Sequence, residues 1–384
     1  MLPRGKSSQI KSVFENKESR KDRSMTIQRL GDYIREVNVR NRELRVTNLV
    51  GLTIDKAFIP SVANIIGTDL SNYKVIEKEQ FACSLMQVSR DGKIPVAMFE
   101  EDAAIMSPAY PMFEVVDKTV LLPRYLMMWF SRKEFDREAS FYAVGGVRGS
   151  LTWEDFCNMQ LPVPSIERQR EIVAEYETLT RRIRLNEQMI AKLEETAQVL
   201  YRHTFVDNID KQNLPQGWRM CTLGEVATFK YGKLADKHAK SDRYPYPVFS
   251  GYAVTGYTNE YTLKEPTIVI IARGDAGTGK ICMSPKECYL SNLAIAIETN
   301  DMSIKDYLYY YLLDSDTMSL RSGSAQAQIT INNVEPFEIM IPTKKVCMKF
   351  SQKVETLNQA VLIKKQENEK LTELQSLLLS KMGQ

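Results

Sequence analysis

Two stretches of this chain carry long, uninterrupted heptads. In the first, Ile172, Tyr176, Leu179, Ile183, Asn186, Ile190, Leu193, Ala197 and Leu200 follow one another at alternating spacings of four and three. In the second, Phe350, Val354, Leu357, Val361, Lys364, Asn368, Leu371, Gln375 and Leu378 do the same. Such spacing is the mark of a coiled-coil seam. Neither stretch has an interior Gly or Pro, and Pro162, Pro164 and Pro342 stand just before the two starts. Each is therefore read as one helix, of about 38 residues or roughly 57 Å at 1.5 Å per residue. A helix that long exceeds what one globular core can cover. Residues 151–210 carry a net charge of −4 and residues 344–384 a net charge of +4, so each suits the other as an antiparallel partner. That pairing would bring Asn186 opposite Lys364, where polar seam residues cost stability but fix register.

Ahead of each helix the same features recur in the same order. Leu30-Gly31-Asp32-Tyr33-Ile34 matches Leu223-Gly224-Glu225-Val226-Ala227, and CSLMQVSRDGKI matches TIVIIARGDAGTGKI, pairing Arg90 with Arg273 and Lys93 with Lys280. RYLMMWF matches DYLYYYL, and Leu161-Pro162 matches Ile341-Pro342. From Arg90 to Tyr125 is 35 residues and from Arg273 to Tyr307 is 34, so spacing is kept better than identity. The chain thus reads as a mixed α/β unit written twice, each globular part followed by a long helix. The expected segments are a basic arm at 1–24, a globular domain at 25–160, a helix at 165–205, a second domain at 214–342 and a second helix at 345–382. The turn-rich NLPQGW, residues 213–218, is the linker between the copies.

The segment IARGDAGTGK fits G-x-x-x-x-G-K at Gly274, Gly279 and Lys280. A phosphate-binding loop would continue with Ser or Thr and open a helix. Here Ile281 follows, and Pro285 lies in the non-helical stretch beyond it. The expected form is a glycine turn between two strands, with Arg273 and Lys280 at its ends. Arg is suited to guanine edges or phosphates, and glycine lets backbone approach another surface closely.

Other classes find little material. The six cysteines include no C-x-x-C pair and there are only two histidines, so neither a metal site nor a Cys/His or Ser/His catalytic set is expected. Unpaired cysteines suit a reducing cytoplasm. No apolar run has the length of a membrane span. The net charge of +3 does not by itself announce nucleic-acid binding; local clusters carry that reading. They are Lys230, Tyr231, Lys233, Lys237 and Arg243; Arg40, Arg42 and Arg148 in the first copy; and Arg321 with Gln326 and Gln328, Gln being suited to adenine edges. Tyr309, Tyr310 and Tyr311 read as helix packing.

LPQGWRMCTLGEV, LPVPSIERQREI, its shortened partner IMIPTKKVCMKF, and RSGSAQAQITINNVEPFEIMIP together resemble the specificity subunits of Type I restriction-modification systems. The likeness covers residues 25–384, although the second copy lacks the Pro-x-x-E-R-Q pattern of the first. It implies a non-catalytic DNA-binding subunit. Each globular part would be a target-recognition domain reading one half of a bipartite, asymmetric sequence in double-stranded DNA. The paired helices would set the gap and dock two adenine methyltransferase subunits, with motor–nuclease subunits joining for cleavage. The resemblance implies no cofactor in this chain; S-adenosylmethionine, and ATP with Mg²⁺, belong on the partners, in the cytoplasm of a bacterium or archaeon. A coiled-coil scaffold binding proteins and a P-loop hydrolase are the alternatives.

Overall fold

The computed structural model describes residues 27–61, 67–86, 88–144, 149–207, 209–210, 212–236, 243–274, 277–323 and 327–383. The arm at 1–24, Arg148, Lys237 and Gln326 lie outside the described residues. The chain divides into two compact units, Met1–Leu185 with Glu367–Gln384 (unit 1), and Asn186–Gln366 (unit 2).

Unit 1 is built on a four-stranded antiparallel sheet of β1 (Ile34–Glu36), β2 (Phe81–Cys83), β3 (Val96–Met98) and β4 (Met112–Val115), in the order β1-β4-β2-β3. Side chains on a strand alternate between faces, and here the alternation feeds two cores. Phe81, Cys83, Val96 and Phe113 enter one, whereas Ala82 and Met112 enter the other. Strands buried on both faces read as continuous apolar runs. The first core is aromatic: Phe81 stacks on Phe113 with ring centres 5.1 Å apart, and Phe130 meets Phe81 edge-on. Around it lie α1 (Val88–Asp91), α2 (Pro123–Phe130), α3 (Lys133–Ala143) and α4 (Trp153–Asn158). Pro123 suits the first turn of α2 because its missing N–H would be unpaired there. A Thr152–Asp155 capping box starts α4. The unit is closed by antiparallel pairing of Ile27–Arg29 with Gln160–Pro162.

Unit 2 repeats this plan. Strands β5 (Ala227–Tyr231), β6 (Ile268–Ile271), β7 (Ile281–Met283) and β8 (Ala294–Thr299) form an antiparallel sheet in the order β5-β8-β6-β7, the order of unit 1 shifted by four labels. Ile268 and Ile270 face one core and Val269 the other. Helix α6 (Lys305–Asp314) holds the place of α2, and Arg219–Thr222 pairs with Glu338–Ile341 as the closing ladder. The matched tyrosines do the same work: Tyr125 donates to the Pro162 carbonyl at 3.2 Å, and Tyr307 donates to the Met340 carbonyl. The matched leucines agree as well, Leu30 N–H donating to Met159 O and Leu223 N–H to Phe337 O, both at 2.8 Å. The units differ outside this frame. Unit 1 adds two two-stranded sheets; unit 2 adds one three-stranded sheet containing a parallel pair.

Two long helices run through both units, α5 (Ile166–Phe205) and α7 (Lys344–Lys381). All nine heptad positions of each helix are buried or half-buried, including Asn186 and Lys364. In unit 1 the helices touch through Gln375 and Thr180, Arg182 and Glu367, and Asn368 and the Ile183 carbonyl. In unit 2, Lys365 meets Glu194, and Tyr201 packs on Phe350. One residue number rises as the other falls, so the contacts are antiparallel within each unit.

Candidate nucleic-acid interface

The turn of unit 2 that resembled a phosphate loop joins β6 to β7, with Ile268 opposite Met283 and Ile270 opposite Ile281. The residues after Lys280 are a strand, so no helix N-terminus lies there to hold phosphates. Its backbone is pinned on itself: Gly279 N–H donates to Ile271 O, Lys280 N–H to Gly277 O, and Thr278 Oγ1 to Gly274 O. Gly274 and Gly279 have φ of +121° and +90°, which only glycine adopts without strain. A Cβ on Gly279 would also come within 2.9 Å of the Met318 backbone.

The segment after α6 clamps this turn. Thr317 Oγ1 donates to the Gly279 carbonyl at 2.6 Å, and the Arg321 guanidinium donates twice to the Thr278 carbonyl. Arg321 therefore shapes the turn, with two of its five N–H donors committed to the Thr278 carbonyl. Arg273 and Lys280 are exposed and form no ion pair among the described residues. Tyr252, 60 % exposed, lies beside the same turn, 3.9 Å from where a Gly277 Cβ would stand. Sequence reasoning missed Tyr252, because a lone aromatic in a loop carries no periodic signal.

A second concavity of unit 2, with a volume of about 560 Å³, is lined by Lys230, Tyr231, Lys233, Glu260, Tyr261 and Tyr289, among others. Lys230 is held by Glu298 at 2.7 Å. Lys233 is exposed with no ion pair among the described residues, and its N–H is tied to Leu290 O at 2.9 Å. Gly232 between them is obligatory, since a Cβ there would meet the Ser291 carbonyl at 2.0 Å. Arg243 is exposed. Tyr310 is buried and Tyr309 and Tyr311 are half-buried in the core, as helix packing requires.

The corresponding place in unit 1 is built differently. Arg90 sits on the single turn α1, where a simple turn between strands was expected, and it forks onto Asp91 at 2.7 and 3.1 Å. That bond holds the Asp91 carboxyl below its usual range. Lys93 is paired with Asp55 at 3.2 Å. Beneath them Lys56 makes an almost wholly buried pair with Asp136 at 2.8 Å, and burial lowers the Lys56 pKa against the pull of that carboxylate. Arg40 donates to the Asn72 carbonyl. A Cβ on Gly149 would overlap the Ser89 hydroxyl at 2.0 Å, so the segment after α3 lies against α1 as Met318 lies against Gly279 in unit 2.

The seam residues Ile172, Leu179, Ile183, Asn186 and Leu193 on α5, and Val354, Leu357, Val361, Lys364 and Leu371 on α7, face inward along their helices. Within unit 1, Leu179, Leu374, Leu377 and Leu378 line an apolar groove of about 600 Å³. Leu374 and Leu377 are half or more exposed there. No group of three or more metal-ligating side chains occurs among the described residues, and none of their helices is long and apolar enough to cross a membrane.

Comparison with known proteins adds family evidence to this geometry. Residues 6–195 and 215–373 match the family model described as the Type I restriction modification DNA specificity domain. The chain is 20 % identical over 303 residues to the Type I restriction enzyme MjaIX specificity subunit of Methanocaldococcus jannaschii, covering 70 % of each. It is 20 % identical over 371 residues to the HindI specificity subunit of Haemophilus influenzae, covering 73 % of this chain and 81 % of that one. Among solved structures, the Type I restriction-modification S subunit from M. genitalium superposes with a TM-score of 0.56 at 16 % identity, covering 94 % of this chain and 96 % of that one. At that identity the likeness establishes the fold.

Proposed function

The chain belongs to the Type I restriction-modification DNA specificity family, and from that premise we propose that its two units each read one half of a bipartite sequence in double-stranded DNA for a methyltransferase carried by other subunits. The observation that most supports this reading is the clamped turn of unit 2. It is a glycine-lined turn held at Thr278 and Gly279, and its two cations, Arg273 and Lys280, have no partner among the described residues. A backbone already held loses less entropy on binding, and unpaired guanidinium and ammonium groups suit guanine edges and phosphates.

In this reading the chain itself performs no chemistry. S-adenosylmethionine, and ATP with Mg²⁺, are bound by the adenine methyltransferase and motor–nuclease subunits, in the cytoplasm. The long helices pair as an antiparallel coiled coil, dock two methyltransferase subunits and fix the gap between half-sequences. The leucine groove at Leu179 and Leu377 is an apolar surface of the kind such docking uses.

The test is expression of the chain with its neighbouring methyltransferase, followed by co-purification and genome-wide mapping of methylated adenines. A stable complex and one bipartite methylated sequence are expected. Salt-independent duplex binding, or a chain that captures no methyltransferase, would overturn the reading in favour of a protein scaffold.

A further inference from the structure

Helix α3 of unit 1 has two faces, and only one obeys the usual rule. Phe135, Ala139 and Ala143, spaced by four, are buried in the core. On the opposite face Lys133, Arg137, Phe141 and Val144, at spacings of four, four and three, are all exposed. A surface helix is expected to carry polar residues along such a stripe. The first two positions comply. The last two do not: Phe141 is 77 % and Val144 75 % exposed, and Tyr142 beside them is 45 % exposed. Leaving a phenylalanine in water forgoes about 2 kcal/mol of burial, and contiguous exposed apolar groups mark an interaction surface.

The surroundings indicate what covers it. Helix α3 packs on α1, which presents Arg90. The counter-ions of the nearby cations, Asp91 for Arg90 and Glu134 for Arg137, form exposed pairs at 2.7 and 3.1 Å. Exposed pairs of this kind are worth little and can be exchanged for phosphate at small cost. Unit 2 repeats the combination, since Met318, also exposed, stands against the turn that ends in Lys280. An apolar side chain one turn from Arg137, on a helix packed against the one that carries Arg90, suits the way minor-groove proteins combine basic side chains with an apolar wedge between base steps.

We propose that Phe141 is a wedge that enters the duplex within the half-sequence read by unit 1, with Arg137 and Arg90 on the adjoining phosphates. This rests on the recognition reading above and adds a positioning residue to it. Unit 1 would then choose its half-sequence partly by how easily a step unstacks, a form of readout that needs few free cations.

The experiment uses the full chain with its methyltransferase subunits on a duplex carrying its mapped sequence. 2-Aminopurine replaces each adenine of the unit 1 half in turn, apart from the methylated one. The wild-type complex should raise fluorescence at one step. Phe141→Ala should abolish that rise and weaken duplex binding about tenfold to a hundredfold, the scale of one stacked aromatic. Methyltransferase capture and thermal stability should be unaltered, and Phe141→Trp should keep the signal. An unchanged signal in Phe141→Ala overturns the wedge alone. So does loss of methyltransferase capture with normal duplex unstacking, which would make the patch a protein dock. A wild-type complex that binds no duplex would overturn the recognition reading, and the wedge with it.

Discussion

Unit 1 and unit 2 share a sheet order, a closing ladder and a buried tyrosine that reaches the strand before the long helix. They differ in how that helix is fastened. In unit 1 Gln169, fully buried near the start of α5, accepts from Leu122 N–H at 2.9 Å and donates to the carbonyls of Val120 and Pro164 at 2.8 and 2.9 Å. At the same place in α7, three residues after its start, stands Cys347, also fully buried, its thiol pushed up to about 12 by burial. One copy solves the junction with a saturated polar network and the other with plain packing. Shared parts of the duplicated unit are those that close the core; the parts that vary are junction chemistry and exposed loops.

The sharpest way to break this comparison is at the junction. Gln169→Leu should destabilise unit 1 by about 3 kcal/mol, because it takes the partner from three backbone groups around a fully buried side chain. Cys347→Ala should cost unit 2 only about 1 kcal/mol, the loss of one small buried group. Urea denaturation followed by hydrogen exchange in each unit measures both; equal losses would show that the two junctions are energetically alike.

A smaller effect separates the exposed cations. Arg273→Ala and Lys280→Ala should each weaken duplex binding about tenfold and lower the slope of log K against log salt by about one. Lys93→Ala, whose charge already answers Asp55, should change the slope less. Equal slopes for all three variants would mean that this ion pair of unit 1 opens on DNA at no cost.

The smallest effect concerns pH. Asp301 pairs with Lys344 at the start of α7 and accepts from Ser303 N–H, which holds its carboxyl down to about 2. Its folded pKa lies below its unfolded one of about 4. The stabilisation is therefore complete above pH 4 and lost as pH falls through 2. The melting temperature of Asp301→Asn should lie slightly below wild type at pH 5 and converge with it near pH 2. A constant difference would assign the effect to hydrogen bonding alone.

Much of the candidate site was legible for a local reason. The turn at 273–280 announces itself by glycines between two apolar runs, and the absence of a helix after Lys280 is written in Ile281 and Pro285. What could not be read was who holds whom. Arg321 carries the same signal as Arg273, yet its guanidinium is tied to the Thr278 carbonyl, 43 residues earlier in the chain. Lys93 finds Asp55, 38 residues away. Phe141 reads as ordinary apolar content until the fold leaves it in water.

The amino-acid sequence by itself determined the two long helices, their inward faces and the duplicated plan, because heptad period and element spacing are local properties repeated along the chain. The tertiary structure alone decided the order β1-β4-β2-β3, the partners that quiet some cations and leave others exposed, and the side of α3 that meets solvent. Those follow from strand pairing and long-range packing, which join residues that no period links.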